Sequence, residues 1–111
     1  MDTLDQYRKI IEDTLKEFAS IRYAYGDIQN EAVLDRDRDR YLVVSQGWDD
    51  KKRIHSTLIH IDIIGDKIWI QRDGTEDGIA NRLVAAGIPK ERIVLAFHSP
   101  ETRKYTDFAV A

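Results

Sequence analysis

The chain has 111 residues and 12.9 kDa, with 42% hydrophobic residues, which suits one domain spanning 1–111 and one core without a staple. It has no cysteine, which excludes disulfide frameworks, thiol catalysis and cysteine metal sites and is compatible with a reducing cytoplasm. With 17 Lys and Arg against 20 Asp and Glu the net charge is −3, so no basic field supports nonspecific DNA binding.

In chain order, Thr3 with Gln6 forms a capping-box pair. Leu4, Tyr7, Ile11, Leu15 and Phe18 follow at helical spacing, predicting an amphipathic helix over roughly 3–20 with those residues as core. The N-terminal MDTLDQYRKI has no apolar stretch of signal-peptide type and no run reaches membrane-spanning length, so a soluble cytoplasmic protein is expected. Gly26 marks a chain reversal in the linker SIRYAYGD, with Tyr23 and Tyr25 as partly buried neighbours.

Ile28, Asn30, Ala32 and Leu34 alternate with Gln29, Glu31 and Val33 and predict a first strand. The run Asp35-Arg36-Asp37-Arg38-Asp39-Arg40 then alternates sign strictly. Paired acids or an arginine row for phosphate is one reading; a solvated hairpin end whose charges cancel is the plainer one, and it is preferred.

Tyr41 to Arg72 reads as a three-strand meander turned at Asp49-Asp50-Lys51-Lys52 and at Gly65-Asp66. A two-residue loop at Gly65-Asp66 pairs Ile64 with Lys67, Ile63 with Ile68, Asp62 with Trp69, Ile61 with Ile70 and His60 with Gln71. A four-residue loop at Asp49 to Lys52 sets Trp48 opposite Arg53, so Leu42 and Val44 fall beside Ile59 and Thr57 on the apolar face. The opposite face then collects Tyr41, Val43, Leu58, His60, Asp62, Trp69 and Gln71, a set too apolar for water and too polar for a core. That set is the candidate interaction face.

After the meander, Asp73-Gly74-Thr75 predicts a turn with Thr75 as N-cap of a second helix that runs to about Ala86 on Ile79, Ala80, Leu83 and Val84. Gly87 and Pro89 end it, and Ile93 to Phe97 predict a fifth strand. The tail HSPETRKYTDFAVA is too apolar at its end for a free terminus, so Tyr105, Phe108 and Val110 are expected to dock on the domain or on a partner. The fold class that follows is α+β in the order αββββαβ, with a mainly antiparallel sheet and two helices.

Long strings of the chain resemble the XisI family: LDQYRKIIEDTLKEFA with YGDIQNE, GWDDKKRIHSTLIHIDIIGDKIWIQRDGTE, and the ending FHSPETRKYTDFAVA. The family comprises small proteins named as controlling factors for excision of the fdxN DNA element in heterocyst-forming cyanobacteria. The resemblance implies an accessory role in DNA rearrangement beside a companion, XisH, that resembles restriction-type nucleases, and beside a separate site-specific recombinase. It carries over no catalytic residue.

Two other readings stand beside it. His60 and Asp62 project from one face of one strand, the start of a general-base or metal site, which makes a small hydrolase or metal-dependent enzyme one alternative. No nucleophile setting accompanies them around Ser45 or Ser56, and His55, His60 and His98 lack metal-ligand spacing. A direct DNA-binding excision factor is the other alternative, opposed by the charge balance. The expectation is therefore a non-enzyme with no cofactor and no metal, acting by protein–protein interaction. Self-association or an XisH-like nuclease partner is expected, without direct nucleic-acid or membrane contact.

Overall fold

β-branched residues between Arg40 and Asp73 build the centre of the molecule, a computed structural model that describes residues 3–20 and 27–111. The sheet is β1 (Asp27–Asp35), β2 (Arg40–Asp49), β3 (Lys52–Ile64), β4 (Lys67–Asp73) and β5 (Ile93–Leu95), in spatial order 1-2-3-4-5. The first four are antiparallel neighbours joined by tight turns, and β5 joins β4 in parallel. A parallel neighbour requires a crossover. Helix α2 (Ile79–Ala85) and a 3-10 turn (Lys90–Arg92) supply it, while α1 (Thr3–Ala19) precedes the sheet. The α+β class and the element order are as expected, with a third short helix, α3 (Pro100–Arg103), added near the end. Gly26, Tyr23 and Tyr25 lie outside the described residues.

Both long helices lie on one side of the sheet. Tyr7, Ile11 and Leu15 of α1 and Ile79, Ala80 and Leu83 of α2 share one core with Ile59, Ile61, Ile63, Ile68 and Ile70. Burying such a side chain contributes about 1.5–3 kcal/mol. The isoleucine ladder across β3 and β4 therefore dominates the energetics, and α1 folds against it because its apolar stripe has nowhere else to go.

Two one-residue irregularities shape the sheet. Val43 pairs with Ile59 but Val44 pairs with Thr57, leaving Leu58 as an extra residue in β3. Ile61 pairs with Ile70 but His60 pairs with Arg72, leaving Gln71 extra in β4. The pairings of Ile64 with Lys67 through Ile61 with Ile70, and of Trp48 with Arg53, follow the expected register, whereas that of His60 with Gln71 does not.

Three further expectations are corrected. Helix α2 begins at Ile79 rather than after Thr75, because the Asp73 carboxylate accepts from Thr75 N at 2.9 Å and from Ile79 N at 2.8 Å and so holds the intervening loop out of the helix. Strand β5 stops at Leu95, where the chain turns and leaves Phe97 exposed. The charge run is not a solvated end throughout: Arg36 reaches Glu12 on α1, and Asp39 reaches Arg8.

Candidate interaction surface

With both long helices on one side, the other face of the sheet has, among the described residues, only the tail against it. Alternation along each strand places Glu31 and Val33 of β1, Leu42 and Val44 of β2, His60 and Asp62 of β3, and Trp69 of β4 on this open face. The extra residue Gln71 joins them through its amide, and Arg72, opposite His60, lies on the same face.

Four of the expected face residues are thus brought together. His60 Nε2 lies 3.0 Å from Asp62 Oδ1, and Gln71 Nε2 donates to Asp62 Oδ2 at 3.4 Å. Trp69 pairs with Asp62 across the β3–β4 ladder. Both Asp62 oxygens thus have a partner inside this cluster, Oδ1 facing His60 and Oδ2 accepting from Gln71. Among the described residues no three His, Asp or Glu side chains gather at a site that could hold a metal.

The other three belong elsewhere. Tyr41 and Val43 are fully buried on the helix side, packed in the core with Ile59 and Ile61. The Leu58 bulge is the reason: one extra residue shifts the β2–β3 register by one, and a one-residue shift exchanges faces. Leu42 and Val44 take the open-face positions instead. Leu58 itself packs against the core and, with Phe18, Asn30, Gly74, Thr75 and Arg82, lines a cavity of about 450 Å³ between the end of α1 and the loop before α2.

The tail covers one corner of the open face, and Arg103 organises it. Its guanidinium stacks 5.5 Å from the Trp69 ring centroid and donates to four backbone carbonyls: His98 at 3.0 Å, Leu95 at 3.2 Å, Ala96 at 3.3 Å and Val110 at 3.3 Å. Val94, opposite Trp69, is fully buried there. Phe108 packs on the core under Lys90. Tyr105 is 90% exposed and Val110 43% exposed, so neither docks on this domain, and the chain there is held by backbone contacts such as Ala109 N to Ile93 O at 2.9 Å.

On the opposite side the charge run clamps the β1–β2 turn to α1. Arg8 donates to Asp39 through Nε at 2.8 Å and Nη2 at 3.1 Å, and Arg36 donates to both oxygens of Glu12 at 2.8 Å. Arg8 holds the Asp39 carboxyl below its ordinary range, and Arg36 does the same to Glu12. Burial, and then the hydrogen bond to Asp39, push the Tyr41 hydroxyl up. These shifts accompany structural pairs far from the open face.

No helix among the described residues is long and apolar enough to cross a membrane. A comparison with curated proteins finds no match. Among solved structures, the chain is similar to a XisI-like protein from Anabaena variabilis ATCC 29413, at 36% identity and a TM-score of 0.89 over 98% of this chain and 100% of that one. It is also similar to the fdxN element excision controlling factor XisI from the same organism, at 35% identity and a TM-score of 0.84 over 99% and 100% of the two chains. The family model described as XisI protein matches residues 1–110, and the chain belongs to the XisI family.

Proposed function

We propose that this chain is a non-enzymatic accessory protein of a DNA-excision system, acting in the cytoplasm by protein contact through the open face of its sheet. The observation that carries the reading is a sheet with both long helices on one side and, on the other, Val33 47% exposed beside half-buried Leu42 and Val44. His60, Asp62 and Gln71 on that face are paired with one another, so the face offers satisfied polar groups beside its apolar ones. The solved relative named as an fdxN element excision controlling factor supports the biological setting, and an XisH-like nuclease is the partner that setting suggests.

Co-expression with an XisH-like protein tests the reading. Stoichiometric co-purification is expected, without hydrolytic turnover by this chain alone. A hydrolytic activity that His60→Ala abolishes, with fold and associations unchanged, would overturn it.

A further inference from the structure

Resting on the reading that the open face is a contact surface, we infer that its occupant is a second copy of this chain, stacked face to face about a two-fold axis that runs along the strands between β2 and β3. Such an axis places β1 of each copy over β4 of the other, and β2 over β3. The cross-strand rows then decide whether the face complements itself. Glu31, Val44 and Thr57 form one row, and Val33, Leu42, His60 and Arg72 form the next. Arg72 leans from its own row toward the first, donating from Nε to Thr57 O at 2.7 Å. Its guanidinium therefore sits at the far end of the row that Glu31 begins.

The two-fold reverses that row in the second copy, so each Glu31 meets the other copy's Arg72, with Val44 and Leu42 covering Thr57 and His60 between them. Glu31 and Arg72 are both exposed, and neither has an opposite charge bound to it among the described residues. A centre of Val44 and Leu42 stacked on Thr57 and His60, flanked by charges of opposite sign on opposite sides, complements itself as an isologous interface requires. The size also fits. β1 has nine residues, so strands rising about 3.3 Å per residue and spaced about 4.8 Å give β1 to β4 a flat footprint of roughly 600 Å². With the Trp69 corner taken by the tail, the remaining face lies toward the small end of specific interfaces, about 1,200 Å² summed over two partners.

The free edge of the sheet is disfavoured as a route to a symmetric dimer in the register centred on Glu31. Antiparallel self-pairing of β1 centred on Glu31 would set Asp27 against Asp35 twice and Glu31 against itself, and like charges directly opposite are destabilising.

Sedimentation velocity of the whole chain at micromolar concentration tests the inference. A species of twice 12.9 kDa is expected. Glu31→Arg and Arg72→Glu should each raise the dimer dissociation constant about fivefold to tenfold. The double variant should regain the wild-type value, and Val44→Arg should be monomeric with an unchanged circular dichroism spectrum. A monomeric wild type, a dimer indifferent to Val44→Arg, or a double variant no better than the singles overturns the inference. If the chain is monomeric yet Val44→Arg abolishes capture of the XisH-like protein, the face belongs to that partner: the two-fold dimer is then wrong and the proposed function stands.

Discussion

The Tyr41 hydroxyl donates to Asp39 Oδ1 at 3.0 Å, the same oxygen that receives Arg8 Nε. A fully buried core aromatic and a helix arginine thus meet on one carboxylate in the β1–β2 turn. Packing of the core and docking of α1 are linked through a single side chain.

Asp39→Ala removes that junction. Hydrogen bonds to charged groups are worth about 1.5–3 kcal/mol, so a loss of that order is expected in a denaturant melt, with Tyr41 left without its partner. Arg36→Ala, at an exposed ion pair, should cost less than 1 kcal/mol by the usual worth of such pairs, about 0.2–1.

The same carboxylates set the acid limb of stability. The Asp39 and Glu12 groups bind protons less readily folded than unfolded, since each is lowered from its ordinary value of 3.8 or 4.5. Their contribution is complete above those ordinary values and lost as pH falls through the lowered folded values, because there the unfolded chain binds more protons. Melts taken downward from pH 5 should show Asp39→Asn losing part of the acid-induced fall in Tm, and an identical slope in the variant would contradict the assignment.

Arg103→Met should release the tail from the open face, at a cost of about 2 kcal/mol for a charged donor shared among four carbonyls. The chain has two tryptophans, so a Trp48→Phe background leaves Trp69 as reporter, and its fluorescence should shift when the stacked guanidinium departs. In the same tail, Phe108→Ala should destabilise by about 2–4 kcal/mol while Tyr105→Ala leaves the melt unchanged, following burial.

Gly47 and Gly65 both have positive φ, yet their alanine variants should differ sharply. A Cβ at Gly47 would fall 1.8 Å from the Asp27 carbonyl oxygen, where β1 begins, so Gly47→Ala should cost more than about 3 kcal/mol by forcing the two backbones apart. At Gly65 nothing lies within 4 Å, and only the left-handed backbone is penalised, about 1 kcal/mol. Equal melting temperatures for the two variants would refute this.

His60→Ala should weaken stability by about 1 kcal/mol, since Asp62 loses one hydrogen bond but keeps Gln71. A larger loss in association than in stability is expected if the face is in use, which paired melts and sedimentation runs would separate.

Local chemistry made the hairpin at Gly65-Asp66 and the Trp48–Arg53 pairing legible, because turn residues and β-branched alternation act over a few positions. The same chemistry puts His60, Asp62 and Trp69 on one face, whereas Gln71 joins them as the extra residue of the β4 bulge. Tyr41 and Val43 are not legible, because the Leu58 bulge has no local signature and inverts everything on one side of it. Asp73 as the anchor of α2 escapes a capping rule that looks three residues ahead, since its acceptor role spans six residues to Ile79. Arg103 was invisible for a different reason: its partners are carbonyls, which every residue carries. The Arg36–Glu12 contact joins residues 24 apart, and alternation of charge says nothing about which helix lies overhead.

The parallel closing strand also orders assembly in time. Among the described strands, every pairing from β1 to β4 joins neighbours along the chain through a short turn, so these can zip as soon as the residues leave the ribosome. Pairing of Ile68–Ile70 with Ile93–Leu95 instead has to wait for α2, and the bridge from Val94 to Ala109 waits for the segment that follows α3. Until then Val94 and its neighbour Trp69 have no lid, so a nascent chain stalled before Arg103 would expose a sticky corner that the finished molecule hides.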